Sequence, residues 1–257
     1  MSNPPVFYFL IQVRFNPVTQ MYQHVSAFQE ALRRDGFADF NEETQLEIAW
    51  QQAGAAQPSI QEAHKKRWLF SDMEKKSGFV LLDDALIYHT TAYTSFSECK
   101  AAMLGALALL NKDVELNFVQ RVGMRYLDHF SADSLAGFGT VLHPGLVGLF
   151  NDVPGDMRHS YSETVSSVDG LILVLKSFLS SASFMLPPDL QGMTLALPEK
   201  LVRLRTPQIV LDSDCYMEKR FPFEIEVIEG HLDQLHRQLL DLFHRSLTEQ
   251  GRKLWQS

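Results

Sequence analysis

The sequence predicts an α+β protein made of two related halves, in which antiparallel-rich sheets are each packed by long amphipathic helices. Short apolar or alternating runs recur between polar turns, which is typical of strands joined by hairpins. Each half closes with a long helical pattern, over 96–110 in the first and 231–249 in the second. The shared order of elements suggests a duplicated unit. We place the boundary between residues 1–130 and 131–257, because the segment 131–154 is rich in Gly, Pro, Ser and Asp.

The first half starts with a nearly continuous apolar run at 6–15, which indicates a strand covered on both faces. Apolar residues then recur at helical spacing over 22–32, and Asp35-Gly36 ends that helix. A loop is predicted at 54–58. Further strand patterns lie at residues 46–50, 68–70, 79–82 and 86–93.

Two capping boxes mark helix starts in the first half. In each, a serine side chain can accept a hydrogen bond from the backbone N–H three residues later. Ser59 with Glu62 predicts a short helix that reaches Lys66, and Ser95 with Glu98 predicts the long helix. The buried stripe of the long helix consists of Phe96, Cys99, Met103, Leu107 and Leu110.

In the second half, Asp169-Gly170 lies between two apolar runs and predicts a tight hairpin, because both residues tolerate positive φ. Further strands are predicted at residues 195–197, 201–204, 209–211 and 223–228. The final helix carries a polar stripe of Asp233, His236, Arg237, Asp241 and His244. We interpret this stripe as a solvated helix face, since no H-E-x-x-H pattern is present and no cysteine joins it.

Composition restricts the class of function. The formal net charge of -8 argues against a general nucleic-acid binder, which needs a basic surface. Two cysteines, Cys99 and Cys215, are too few for a disulfide framework and fit a reducing compartment. Neither a signal peptide nor an apolar run long enough for a bilayer is evident. We therefore expect a cytoplasmic protein without membrane contact.

The most informative stretch for function is the predicted strand at residues 121–128. Its period of two places Arg121, Gly123 and Arg125 on one face, so that two guanidinium groups flank a position without a side chain. Such an arrangement can seat an acidic group, because arginine offers a planar fork of donors and glycine permits close approach. Tyr126 and Asp128, at the end of the strand, complete the predicted ligand-binding set. The simpler interpretation is that the arginines form cross-strand ion pairs with Asp or Glu.

Four clustered carboxylates offer an enzymatic alternative. Asp212 with Asp214 and Glu224 with Glu226 are each spaced by two, and together they could hold Mg²⁺ for a phosphodiesterase or nuclease. Arg203 and Arg205 share that spacing, so cross-strand ion pairs explain these acids more simply. Elsewhere the sequence has no G-x-S-x-G nucleophile elbow, phosphate-binding loop or dinucleotide fingerprint. The sequence thus favours a protein that is not an enzyme and that needs no cofactor and no metal.

A third hypothesis is a nucleic-acid adaptor that uses a small basic patch. The candidate residues are Lys65, Lys66, Arg67, Lys219 and Arg220. The acidic net charge weighs against this hypothesis.

Several motifs together resemble a known protein family. They are the Pro4-Pro5 opening before a strand that ends in Phe15-Asn16-Pro17, the Arg121-x-Gly123-x-Arg125-Tyr126 core, and the closing Leu232-Asp233-x-Leu235-His236 helix with Phe243 and Leu247-Thr248. The chain resembles a sporadically distributed family of bacterial and archaeal proteins of similar length and uncharacterised function. Asp128 stands where that family often has Asn. The resemblance implies an association with phage defence or toxin-antitoxin loci, and it brings no catalytic residues.

Together these observations predict a non-catalytic recognition protein, associated by resemblance with a bacterial defence or toxin-antitoxin system. It would bind an acidic group of a protein partner or of a small ligand through the face of Arg121, Gly123 and Arg125. The expected partner is another protein or a second copy of the chain.

Overall fold

The computed structural model of the chain describes residues 4–51, 59–149, 153–190, 192 and 195–255, with the backbone alone at 45–51 and 59–64. Within these ranges, nine strands form one antiparallel sheet. The strands are β1 (Val6–Phe15), β2 (Asp39–Gln51), β3 (Ser59–Ser71), β4 (Ser77–Leu81), β5 (Ala85–Thr90), β6 (Phe118–Ser131), β7 (His159–Val168), β8 (Leu171–Ser180) and β9 (Gln208–Pro222). Their order across the sheet is β2-β3-β4-β5-β1-β6-β9-β8-β7.

Seven α-helices flank this sheet in the described part of the chain. They are α1 (Val25–Arg34), α2 (Phe96–Val114), α3 (Phe138–Val141), α4 (Pro144–Val147), α5 (Glu199–Arg203), α6 (Ile225–Ser246) and α7 (Glu249–Trp255). Apolar side chains of α1, α2 and α6 share the main core with alternate residues of β1, such as Phe9 and Ile11. We call this the helix side of the sheet. In the described part of the chain, no helix combines the length and apolar character that a membrane span needs.

A second apolar cluster lies on the far side of the sheet. Tyr8, Leu127 and Val210 pack there against Leu190 and Leu195, and Leu201 of α5 packs against the same cluster. The central strands β1, β6 and β9 are therefore covered on both faces, which explains the continuous apolar run of β1.

Local signals predicted several turns and helix ends correctly. Asp169 and Gly170 both have positive φ (50° and 78°) and connect β7 to β8 as the predicted hairpin. Ser95 caps α2, since its Oγ accepts a hydrogen bond from the Glu98 N–H at 3.2 Å.

Other local predictions were wrong. The helix expected over 59–66 is part of β3, because pairing of these residues with β2 outweighs a local capping signal. The strand expected at 201–204 overlaps α5, and no strand forms at 195–197. The strand expected at 223–228 is the start of α6, which begins at Ile225. The loop predicted at 54–58 lies outside the described residues.

Strand β6 joins the two parts of the chain. It pairs with β1 on one side and β9 on the other, and its last residue lies at the predicted boundary between 130 and 131. If β6 is counted with the second part instead of the first, each part has its first strand beside its last, β1 beside β5 and β6 beside β9, and a long helix follows that last strand. This division differs from the predicted boundary at residue 130. The two predicted domains and their duplication stay predictions, while the strands of both halves belong to one continuous sheet.

Strand β3 approaches Gly78 of β4 so closely that no side chain fits there. A Cβ atom there would lie 2.4 Å from the backbone oxygen of Phe70 in β3. We expect Gly78→Ala to lower the free energy of unfolding by about 2–4 kcal/mol, because rigid backbone must move. Gly105, with nothing within 4 Å of its Cβ position, is the control. Gly105→Ala in α2 should stabilise by about 0.5–1 kcal/mol. Urea denaturation measures both, and equal effects would contradict the prediction.

Candidate functional site

Arg125 lies on the far side of the sheet, where it is already bound by two internal carboxylates. Its Nε and Nη2 atoms contact the Asp212 carboxylate at 2.6 and 2.7 Å. Its Nη1 and Nη2 atoms contact Asp189 at 2.5 and 3.2 Å. Burial disfavours the charge, but the hydrogen bonds that Arg125 donates to Asp212 and Asp189 outweigh burial and raise the pKa of Arg125. The guanidinium therefore has no free fork of donors to offer a ligand.

Arg121 shares this face with Gly123 and Arg125, as the strand period predicted. It contacts the Gln12 side chain at 2.5 Å, and its guanidinium carbon lies 4.3 Å from the centre of the Tyr216 ring. A Cβ atom at Gly123 would meet an Arg121 nitrogen at 2.8 Å. The Arg121 guanidinium itself thus occupies the space above Gly123.

These contacts agree with the simpler interpretation, in which the arginines pair with acids across strands. Arg125 pairs with Asp212 of β9, and Arg121 lies 4.0 Å from Asp214 and 3.8 Å from Glu218 of the same strand. A ligand-binding role for this face stays a prediction. Arg203 and Arg205, which were expected to pair with the acids of β9, lie in α5 and just after it, and Arg203 pairs with Glu199.

The structure does not bring the four carboxylates of the enzymatic alternative together. Asp212 and Asp214 lie in β9, whereas Glu224 caps α6 and Glu226 lies in its first turn. At about 3.3 Å per residue, the ten strand residues after Asp212 separate the two pairs by roughly 30 Å. Among the described residues, no group of three or more His, Cys, Asp or Glu side chains is placed to hold a metal ion.

The basic residues of the nucleic-acid alternative are engaged by neighbours. Lys66 contacts Glu42 at 2.9 Å, and Arg67 contacts Glu43 at 2.5 Å. The Arg220 guanidinium lies over the Phe118 ring, 4.4 Å from its centre. The patch therefore offers less free positive charge than its sequence suggests.

Tyr126 and Asp128 lie on the helix side, because the period of two separates them from Arg121, Gly123 and Arg125. There they contribute to a cavity of about 520 Å³ between the sheet, the start of α2 and the second half of α6. We call it the helix-side pocket. It is lined by Pro4, Pro5, Val6, Tyr93, Thr94, Ser95, Phe96, Tyr126, Asp128, Ser213, His236, Leu239, Leu240, Phe243 and His244.

A bulge in β1 helps to leave this space open. The pairing register with β6 shifts between Val6 and Tyr8, so that Val6 lies opposite Asp128 on the helix side. Phe7 instead packs on the far side, where its ring meets Phe184 at 5.4 Å. No large β1 side chain from this position therefore covers Asp128.

Asp128 is the most unusual group of the pocket. It is only 3% exposed, and it makes no hydrogen bond and no ion pair with the described residues. Burial alone raises the pKa of its carboxyl to about 8. The side chain is therefore largely protonated at neutral pH and has unused hydrogen-bonding capacity.

Ser213 of β9 lies opposite Tyr126 and also lines the pocket. Its Oγ is the one buried side-chain polar atom that has no hydrogen-bond partner in the described part of the chain. Buried polar groups in native proteins are nearly always hydrogen-bonded, and an exception calls for a physical explanation such as a functional role or a bound water or ion. Asp128 and Ser213 thus give one pocket two polar groups without partners.

Tyr126 and His236 form the polar wall between the sheet and α6. The Tyr126 hydroxyl lies 3.0 Å from His236 Nδ1. The His236 ring stacks on Phe96 with 4.0 Å between ring centres and 14° between planes. Burial lowers the pKa of His236, against the effect of Asp233, so the imidazole is neutral at pH 7. Burial, followed by the neighbouring Tyr93, raises the pKa of Tyr126.

This arrangement suits binding better than nucleophilic catalysis. A serine nucleophile needs a base within hydrogen-bond reach, and the Ser213 hydroxyl has no such partner among the described residues. Burial raises the pKa of both thiols, Cys99 and Cys215, to about 12, so neither is reactive at neutral pH.

Sequence reasoning identified Tyr126 and Asp128 but missed the rest of the pocket. His236 was assigned to a solvated helix face, yet it lies four residues after Leu232 and three before Leu239, at the margin of the buried stripe. Ser213 alternates with the buried residues Leu211 and Cys215, and this spacing could have placed it on the core face.

Comparison with known proteins does not assign the chain to a family, because the chain matches no protein-family model and no curated protein. The resemblance to a sporadically distributed family stays a prediction.

Proposed function

We propose that this chain is a non-catalytic recognition protein whose ligand site is the helix-side pocket. The ligand is a compact, largely apolar molecule with a polar group that reaches Asp128 and Ser213. A cavity of about 520 Å³ lies within the range of small-molecule sites, which are mostly apolar and hold a few placed polar groups.

The observation that carries this proposal is the presence of two buried polar side chains in one pocket. Asp128 makes no hydrogen bond or ion pair with a described residue, and the Ser213 Oγ is buried without a hydrogen-bond partner in the described part of the chain. An unpaired buried carboxyl lowers the free energy of unfolding. Such a destabilising side chain is retained most readily where function requires it. A strongly raised pKa in a cleft is also a feature of functional sites.

Two fragments of equal shape, benzylamine and benzyl alcohol, test the pocket. We expect at least one of them to bind saturably at millimolar concentration, up to about 10 mM, in protein-observed NMR titration at pH 8. The backbone amide signals of Tyr126, Asp128, Ser213 and His236 should shift with a single dissociation constant.

Leu240→Trp supplies the matching variant, because Leu240 lines the pocket and is 39% exposed on α6. The larger side chain should obstruct the opening and weaken fragment binding at least tenfold, by about 1.4 kcal/mol. Val227→Trp on the same helix is the control, since Val227 is 36% exposed and lies outside the pocket. If neither fragment binds, or if both variants bind like the wild type, the proposal fails.

Other parts of the functional hypothesis rest on the sequence. Membership in a bacterial defence or toxin-antitoxin system depends on the family resemblance alone. A cytoplasmic location depends on the cysteine content alone. Internal duplication is supported by the strand order, since β1 lies beside β5 and β6 beside β9. A protein partner or a second copy of the chain remains compatible with these proposals.

A further inference from the structure

The described lining of the helix-side pocket contains one acidic side chain and no basic lysine or arginine. That side chain is Asp128, which is largely protonated at neutral pH when the pocket is empty. The other titratable groups of the described lining are Tyr93, Tyr126, His236 and His244. An acidic ligand would therefore find no guanidinium or ammonium group in the described part of the pocket wall.

Positive charge on the neighbouring elements is already balanced. Lys100 of α2 contacts Glu229 and Asp233 of α6, each at 2.8 Å. Polar groups at the amino end of α2 have partners within the same segment. Ser95 Oγ accepts a hydrogen bond from the Glu98 N–H, and the Thr94 hydroxyl contacts the Glu98 carboxylate at 2.5 Å. No described cation therefore pairs with Asp128 or competes for it.

Aromatic rings line the same pocket as the Asp128 carboxyl. Tyr93 and Tyr126 lie 5.6 Å apart between ring centres, and Phe96 and Phe243 also contribute rings to the pocket wall. The faces of such rings carry partial negative charge and attract cations. A carboxyl and aromatic rings in one pocket complement the chemistry of an organic ammonium group.

We infer that the helix-side pocket selects a small organic cation, in which an ammonium group pairs with Asp128 and an apolar body lies against the aromatic wall. This inference rests on the proposed function and specifies its ligand class. Ser213, next to this carboxyl on the neighbouring strand, would accept a further N–H of the ammonium group.

Proton linkage predicts how the affinity for a cation changes with pH. The free carboxyl is largely protonated below pH 8, whereas a bound ammonium favours the carboxylate, so cation binding releases a proton. Affinity for a cation should therefore rise with pH from 6 to 8, by up to about tenfold per pH unit. A ligand that accepts a hydrogen bond from protonated Asp128 would show the opposite trend. Tyr126 and Tyr93 do not titrate in this range because burial raises the pKa of each.

The experiment compares benzylamine, benzyl alcohol and benzoate on the full chain at pH 6, 7 and 8. We expect benzylamine to bind at least about tenfold more tightly than benzyl alcohol at pH 8, with affinity that rises with pH. Asp128→Asn should remove this preference and the pH dependence while benzyl alcohol still binds. Asp214→Asn is the control, because Asp214 adjoins Ser213 in β9 but points to the opposite face, near Arg121.

Three outcomes would overturn the inference. Equal or tighter binding of benzyl alcohol, or a preference for benzoate, would reject the cation but leave the pocket as a ligand site. Unchanged benzylamine preference in Asp128→Asn would show that the carboxyl does not pair with it. Absence of binding by all three fragments would reject the proposed function as well.

Discussion

Arg125→Met is expected to lower the free energy of unfolding by about 3–5 kcal/mol. The reason is Asp212, whose side chain is 1% exposed and whose carboxylate depends on the Arg125 guanidinium at 2.6 and 2.7 Å. Removal of the arginine leaves a buried carboxylate without its cation. Asp189 contributes less to this loss because its side chain is 57% exposed and water can replace the guanidinium.

Urea denaturation at pH 7 measures this effect. Arg14→Met is the matched control, because Arg14 pairs with Asp84 at 2.9 Å while its side chain is 44% exposed. Arg14→Met should lower the free energy of unfolding by no more than about 1 kcal/mol. The double variant Arg125→Met with Asp212→Leu should recover most of the stability, since neither buried charge remains. A loss below about 1 kcal/mol for Arg125→Met would indicate that Arg125 is available for recognition after all.

Asp128→Asn is expected to stabilise the protein at pH 8, on the order of 5 kcal/mol, and to change stability little at pH 4. Burial raises the folded-state pKa of Asp128 to about 8, whereas the unfolded carboxyl titrates near 3.9. Between these values the unfolded chain has lost the proton that the folded chain still holds. Folding then becomes less favourable by about 1.4 kcal/mol for each pH unit, and the loss levels off above pH 8. Asparagine cannot ionise, so the variant avoids this loss.

Unfolding free energies at pH 4, 6 and 8 test this prediction. Burial also lowers the pKa of His89 to about 3, which destabilises the fold as the pH falls below 6.5. That effect is common to wild type and variant and cancels in their difference. Asp113→Asn, on the exposed surface of α2, is the control and should follow the wild-type profile. A difference that does not grow with pH would mean that Asp128 is not held protonated.

The two variants separate structural from functional roles. Arg125 stabilises the fold through internal carboxylates, so its loss should cost stability at any ligand concentration. Asp128 has the opposite character, because the fold is less stable with it at neutral pH and ligand binding should depend on it. A residue that costs stability and improves binding is typical of a functional site.

Prediction from the sequence succeeded where short-range geometry decides. The Asp169-Gly170 turn, the Ser95 cap and the shared face of Arg121 and Arg125 each depend on a few consecutive residues. It failed where long-range pairing overrides a local signal, as at residues 59–66, whose capping box lies within strand β3.

The sequence by itself determined an α+β protein, the approximate positions of most strands and long helices, and which residues of β6 share a face. Only the tertiary structure decided what each face meets. Asp212 reaches Arg125 across 87 residues of chain, and His236 reaches Tyr126 across 110. The period of a strand fixes the direction of a side chain, but its partners depend on strand order and helix packing. For that reason the helix-side pocket became visible only in three dimensions.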